Sequence, residues 1–150
     1  GGKYLKETLS FNSNEDTNKD IKYVYLNLGF NYLKMGEYEN ALQYYKLILN
    51  DFKEISDILD INVNASICLS ELKRFEESIE FLLKALDIDS ECVNPMFLLA
   101  YNYFNLKKYN DAIFWTKKVE KINPDYPDLK ELIKSLKKQV NVLRVVNKKN

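Results

Sequence analysis

The side chains that most often perform catalysis or bind metal are scarce in this sequence. No histidine occurs among its 150 residues, which removes the commonest general base and the commonest protein ligand for metals. The two thiols, Cys68 and Cys92, lie in separate segments, and two thiolates without histidine cannot complete a four-ligand zinc site within one chain. Glu76 and Glu77 open a predicted helix, where negative charge favours the macrodipole. We therefore expect no catalytic residue, no cofactor and no metal site.

The composition is that of a globular protein with balanced charge. Hydrophobic residues make up 46% of the chain and charged residues 29%, with 22 basic and 22 acidic side chains. A nucleic-acid partner is not expected, because such binders are usually basic. No run of 18 apolar residues is present, so no transmembrane segment is predicted. The cysteines lack the dense spacing of small secreted domains, so we expect reduced thiols and a cytoplasmic location. The chain begins at Gly1 without methionine, as an excised segment would, so a targeting segment or a neighbouring domain could lie outside it.

One stretch of about twenty residues occurs three times, at 25–45, 62–82 and 96–116. Each copy carries a small residue in its first half, at spacings of 37 and then 34 residues: Gly29, Ser66 and Ala100. Each copy also carries a second small residue: Ala41, Ser78 and Ala112. A fixed period in the thirties, with small and aromatic residues at set offsets, indicates a stacked helical repeat.

In these residues the sequence resembles the tetratricopeptide-repeat family, whose unit of 34 residues forms two antiparallel helices. In the first copy Tyr25 takes the place of the family's Trp, Leu28-Gly29 that of Leu-Gly, and Tyr32 that of Tyr. The resemblance implies an all-α, right-handed α-solenoid. Its three helix-turn-helix units would lie within residues 21–126, at about 22–55, 59–92 and 93–126. The paired helices are expected near 20–35 and 38–51, 57–72 and 75–88, and 94–106 and 109–121.

Several local features refine this map. Gly29 is expected to let the second helix of its unit approach closely. Gly36 is expected to end the first helix of its unit in a left-handed conformation. Lys73 and Lys107 hold the equivalent position in the second and third units. Asn94 with Pro95 predicts a helix cap followed by proline at the first helical position. Three extra residues between the first two units are expected to lengthen a helix or a loop.

Residues 127–150 are predicted to form a C-terminal capping helix with a frayed end, since solenoids need a terminal element with a polar outer side. Asp128 and Glu131 have the spacing of a capping box. The apolar positions recur at helical spacing: Leu129, Leu132, Ile133, Leu136, Val140 and Leu143. Residues 1–20 are interpreted as a partly flexible segment, with room for a short helix near its start and a polar link at 12–20.

In the resembling family, the first helices of successive units line a concave groove that binds a partner. The resemblance assigns this groove to Leu26, Asn27, Phe30, Val63, Asn64, Ile67, Phe97, Leu98 and Tyr101. This set is mainly apolar, so we expect an apolar peptide or amphipathic helix as partner. The alternative is that the N-terminal segment or another copy of the chain covers these residues, and a homo-oligomer stays open.

A protein–protein interaction module, such as an adaptor, scaffold or assembly factor, is therefore the predicted function. One alternative is a co-chaperone-type domain that binds the acidic C-terminal tails of large chaperones. The cationic and amide positions of that clamp are held here by Leu26, Phe30, Asn64, Asn94 and Leu98, so a carboxylate would find no cation. A second alternative is the interaction domain of a larger enzyme whose catalytic domain lies elsewhere.

Charge is unevenly distributed along the chain. Residues 51–91 contain eleven acidic and four basic side chains, and residues 130–150 contain seven basic and one acidic. Two solvated faces are the simpler interpretation. The alternative is that the acidic surface and the basic helix each contact partners, or contact each other between molecules.

Overall fold

The computed structural model describes the backbone of residues 15–149 and the side chains of residues 20–149. This part of the chain is entirely helical apart from its connections. The helices are α1 (Glu15–Lys34), α2 (Tyr38–Ile48), α3 (Ile55–Glu71), α4 (Phe75–Ile88), α5 (Val93–Asn105), α6 (Tyr109–Ile122) and α7 (Leu129–Lys149). Among the helices between residues 15 and 149, none is both long enough and apolar enough to span a membrane.

The helices stack in pairs, as the period of the sequence predicts. The pairs α1–α2, α3–α4 and α5–α6 make the most extensive contacts, and each second helix also packs on the first helix of the next unit. The first helices α1, α3 and α5 touch one another as well. Fully buried side chains such as Tyr45, Ile61, Leu82 and Leu99 fill the space between the helices. The result is a solenoid of three helical pairs closed by α7.

The turn inside each unit ends its first helix with a left-handed residue. Gly36 has φ +76°, and Lys73 and Lys107 have φ 59° and 60°. At the first turn, the Glu37 N–H donates to the Tyr32 carbonyl at 2.9 Å and the Gly36 N–H to the Leu33 carbonyl at 3.1 Å. This is the Schellman arrangement, and it repeats at the other two turns. The predicted conformation is confirmed at all three positions.

Gly29 lies where a side chain of α2 packs directly against the backbone of α1. A Cβ added to Gly29 would lie 3.0 Å from Cε1 of Tyr45, closer than carbon atoms pack without strain. The side chain that requires this space is therefore the aromatic ring of Tyr45. Ala41, the second small residue of this unit, lies on α2 with Tyr45 and is also fully buried.

The N-terminal boundary differs from the prediction. α1 begins at Glu15, so the second half of the polar link predicted at 12–20 is helical. A helix whose later turns pack on its neighbours can extend through polar residues that would not form a helix alone. The start of the chain, where the sequence leaves room for a short helix that could cover the groove, lies outside the described residues.

The predicted cap at Asn94 is wrong. α5 begins at Val93 with Cys92 at the cap position, which places Asn94 and Pro95 inside the first turn. Proline is tolerated there because the first N–H groups of a helix have no intrahelical acceptor. The Asn94 side chain instead accepts a hydrogen bond of 2.7 Å from the Tyr126 hydroxyl.

The insertion between the first two units lengthens a helix. α3 has 17 residues, whereas α5 has 13, and α2 ends at Ile48 rather than at the predicted residue 51. Phe52 in the connection is buried, and its ring packs edge-on against Tyr23 with centroids 5.3 Å apart. The connection thus contributes to the core of the first unit.

α7 caps the solenoid only through its first half. Leu129, Leu132 and Leu136 are buried against the third unit, whereas Leu143 is 46% exposed. The predicted apolar stripe is therefore covered at its start and open at its end. The capping box is wrong, because Asp128 has φ 65°, whereas a capping residue has an extended backbone.

Candidate functional site

The nine residues expected to line the groove lie on the three first helices, which neighbour one another in the stack. α1 carries Leu26, Asn27 and Phe30, α3 carries Val63, Asn64 and Ile67, and α5 carries Phe97, Leu98 and Tyr101. None of these nine side chains is fully buried. The structure therefore leaves all of them at least partly accessible on one series of helices.

Two aromatic side chains are the most exposed apolar members of this set. Phe30 is 45% exposed and Tyr101 is 41% exposed, and each directly follows the small residue of its helix. The Lys34 ammonium lies 5.0 Å from the centroid of the Phe30 ring. A cation at this distance interacts favourably with an aromatic face. Lys34 was not among the predicted residues, although its spacing of four residues from Phe30 on one helix indicates the contact.

Phe97 has a different environment from Phe30 and Tyr101. Its ring packs on Tyr126 with centroids 4.9 Å apart, and it also packs against two clusters of buried residues that join the third unit to α4 and α7. The Tyr126 hydroxyl is held by Asn94, and partial burial raises the pKa of the Tyr126 phenol above its ordinary value. Phe97 is thus partly a core residue, and Tyr126 is a neighbour that the repeat pattern did not predict.

Beneath the middle of the face lies a buried hydroxyl without a hydrogen-bond partner. Tyr45 is fully buried, and its hydroxyl makes no hydrogen bond to any described residue. Burial raises the pKa of this phenol, the nearby Cys68 thiol adds to the rise, and the Asn64 side chain opposes it. Asn64, one of the predicted groove residues, therefore lies next to a buried polar group. Burial likewise raises the pKa of the Cys68 thiol to about 12.

The positions of the acidic-tail clamp carry no cation. Leu26, Asn64 and Leu98 are half-buried, and Phe30 and Asn94 are exposed. Asn94 is already hydrogen-bonded to Tyr126. Among the described residues, no group of three potential metal ligands lies close enough together to hold a metal ion.

Two family models, both describing the tetratricopeptide repeat, match residues 20–91 and 93–126. Together they cover more than two thirds of the chain. The chain belongs to the tetratricopeptide-repeat family. Domains of this family are generally protein–protein interaction modules, and that is the role of this one. The second match begins and ends at the boundaries predicted for the third unit. No curated protein matches the sequence at a significant level.

Solved structures of tetratricopeptide-repeat domains share the fold. The Hsp90 co-chaperone Cns1 from Saccharomyces cerevisiae has a TM-score of 0.81 at 20% identity, and the match covers 87% of this chain and 43% of the Cns1 chain. This chain thus spans less than half of that structure. The OM64 TPR domain of Arabidopsis has a TM-score of 0.71 at 20% identity, covering 81% of this chain and 98% of that domain.

A third structure, the first TPR of Spaghetti (RPAP3) bound to the HSP90 peptide SRMEEVD, has a TM-score of 0.71 at 16% identity. The match covers 80% of this chain and 93% of the Spaghetti chain. At these identities the likeness extends to the fold alone.

Proposed function

We propose that this domain binds an apolar segment or amphipathic helix of a partner protein on the face formed by α1, α3 and α5. The observation that carries the proposal is the exposure of Phe30 and Tyr101 at equivalent positions of two repeat units. Ile67 holds the same position in the middle unit and is half-exposed. Each of the three units therefore offers an apolar side chain at the same place.

Burial of these side chains supplies favourable free energy to binding. An apolar side chain of this size gains about 1.5–3 kcal/mol when it is fully removed from water, and part of this offsets the cost of association. Asn27 is exposed and Asn64 is half-exposed, and each amide offers donors and an acceptor. These two side chains can therefore hydrogen-bond the backbone of a bound segment.

The acidic-tail clamp is the competing function, because the Spaghetti structure holds an HSP90 peptide ending in EEVD. One cation, Lys34, lies beside Phe30 at one end of the face. The clamp positions themselves hold no Lys or Arg, and a carboxylate stripped of water without a cation costs several kcal/mol. We therefore favour the apolar segment.

The test is a comparison of partner capture by three forms of the protein. Tyr101→Glu should remove the partners that the unmodified domain retains from a lysate of its source, because the new carboxylate would be buried unpaired. Phe114→Glu is the matched control, since Phe114 is an aromatic residue on α6 that is 52% exposed and lies outside the predicted face. Captured proteins are identified by mass spectrometry. Retention of every partner by Tyr101→Glu would refute the proposal.

Salt and a defined peptide separate the two functions. Partner binding through apolar contacts should persist in 0.5 M salt, because it involves few charges that salt could screen. Fluorescence anisotropy with labelled SRMEEVD peptide should show no saturable binding. Tight binding of that peptide, lost at high salt, would instead establish the clamp.

A further inference from the structure

An accessible pocket lies between α6 and α7, near the C-terminal end of the described residues. Its volume is about 350 Å³. Apolar side chains from both helices line it, including Ile113, Ile133 and Val140. Three cationic side chains and one carboxylate also line it: Lys117, Lys137, Arg144 and Glu120. None of these residues belongs to the face proposed above.

The repeat architecture explains why this pocket is open. α7 packs on α6 and touches α5, as α3 packs on α2 and touches α1. It therefore occupies the place of the first helix of a fourth unit. The equivalent helices α3 and α5 are each covered by the second helix of their own unit. Within residues 15–149 no helix follows α7 to cover it.

A standard second repeat helix does not fit this place. In α5, the buried residues Met96 and Leu99 precede the small residue Ala100. In α7, Leu129 and Leu132 are buried in the same way, and the next residue is Ile133. Gly29, Ser66 and Ala100 permit close helix approach, whereas isoleucine does not. An occupant must therefore sit further out and reach the pocket with its own side chains.

The basic side chains at the α6–α7 pocket indicate which kind of helix could bind there. Residues 130–150 carry seven basic side chains and one acidic side chain. Pairing of two α7 helices from two copies would bring like charges together, which is unfavourable. A helix with acidic side chains beside its apolar ones would place them next to the three cations at the pocket. Leu143, 46% exposed, lies three residues after Val140 and extends the apolar surface by one turn.

We propose that the α6–α7 pocket docks an acidic amphipathic helix of a partner protein. Apolar side chains of that helix contact Ile133, Val140 and Leu143, and its carboxylates pair with Lys117, Lys137 and Arg144. This surface is independent of the α1, α3 and α5 face, so one domain can bind two segments at once.

The test uses two synthetic peptides of about 18 residues, each a helix with leucines at spacings of three and four residues. The remaining positions are mainly glutamate in one peptide and mainly lysine in the other. Fluorescence anisotropy should show saturable binding of the glutamate peptide alone. The double variant Lys137→Glu/Arg144→Glu should weaken this binding at least tenfold.

The matched control is Lys148→Glu/Lys149→Glu, which makes the same change of charge on the same helix outside the pocket. It should change the affinity less than twofold at 150 mM salt. Equal loss in the two double variants would overturn the proposal, because the attraction would then be non-specific. Loss on Tyr101→Glu would also overturn it, by placing the peptide on the other face. A dimer in sedimentation velocity that Arg144→Glu dissociates would identify a second copy as the occupant instead.

Discussion

The Asn102 side-chain amide donates a hydrogen bond of 2.8 Å to the Ser78 hydroxyl, and this bond joins the second and third repeat units. Ser78 in turn donates to the Ser66 carbonyl at 2.8 Å, and Ser70 donates to Asn102 Oδ1 at 2.7 Å. All four residues are buried. Because α3, α4 and α5 each contribute, this buried network fixes how the third unit sits on the second.

Breaking the network should destabilise the domain. Asn102→Leu keeps a similar volume but removes the two buried hydrogen bonds that Asn102 makes with Ser70 and Ser78, each worth about 0.5–1.5 kcal/mol. Urea unfolding followed by circular dichroism measures this loss. Asn105→Ala, at an exposed position of the same helix, should change stability by less than about 0.5 kcal/mol. The triple variant Asn102→Leu/Ser70→Ala/Ser78→Ala should lose less stability than the sum of the three single variants, because the single variants remove the same hydrogen bonds. Full additivity of the three losses would contradict the network.

The three left-handed turn residues provide a pair of opposite predictions. Gly36→Ala should lower the free energy of unfolding by about 1 kcal/mol, because a Cβ is unfavourable at positive φ. Lys107→Gly should raise it by about 0.5–1 kcal/mol, since the relief of that strain exceeds the entropy that glycine adds to the unfolded chain. Thermal unfolding of the two variants checks both signs. A lower melting temperature for Lys107→Gly would show that its side chain contributes more than its backbone costs.

The buried Cys68 thiol should make stability depend on alkaline pH. Burial raises its pKa from 9.0 to about 12 in the folded protein. The stabilisation is therefore complete below pH 9 and is lost as the pH rises towards 12, because only the unfolded chain releases the proton. At pH 9.5 the loss from this group should be about 0.8 kcal/mol.

The measurement is urea unfolding of the unmodified domain and of Cys68→Ala at pH 7.5 and pH 9.5 under reducing conditions. The cost of the substitution should shrink at the higher pH, since the alanine variant has no proton to release. Cys92 is only half-buried, so Cys92→Ala should show a smaller change. An equal cost of Cys68→Ala at both pH values would contradict the raised pKa.

The repeat period predicted most of the fold because its physical causes are local. Small residues such as Gly29 permit close packing, and left-handed residues such as Gly36 end helices wherever they occur. The start of α5 was missed because Asn94 resembles a cap, whereas its side chain pairs with Tyr126 across 32 positions of sequence. The role of Ser78 was only half predicted. Its small size was evident, but its hydrogen bonds depend on Asn102 in the next unit.

The predicted groove residues show the same limit. The family resemblance placed all nine on the first helices, but it could not rank them by exposure. Phe97 is less exposed than Tyr101 because the ring of Tyr126 packs on the ring of Phe97. Nothing in the repeat pattern indicates that contact, which comes from the connection before α7.

α7 divides into a covered first half and an open second half. Leu136 is 3% exposed, so Leu136→Ala should lower the free energy of unfolding by about 2–5 kcal/mol. Leu143→Ala should cost less than about 0.5 kcal/mol, because its side chain is already 46% exposed. Urea unfolding of the two single variants compares the same substitution at the two positions. A large loss of stability in Leu143→Ala would show that this side chain is buried in solution.

Removal of residues 129–150 should leave the chain aggregated or strongly destabilised, since it uncovers Val119 and the apolar flank of α6. A truncated chain with an unchanged melting temperature would show that α7 does not cap the solenoid.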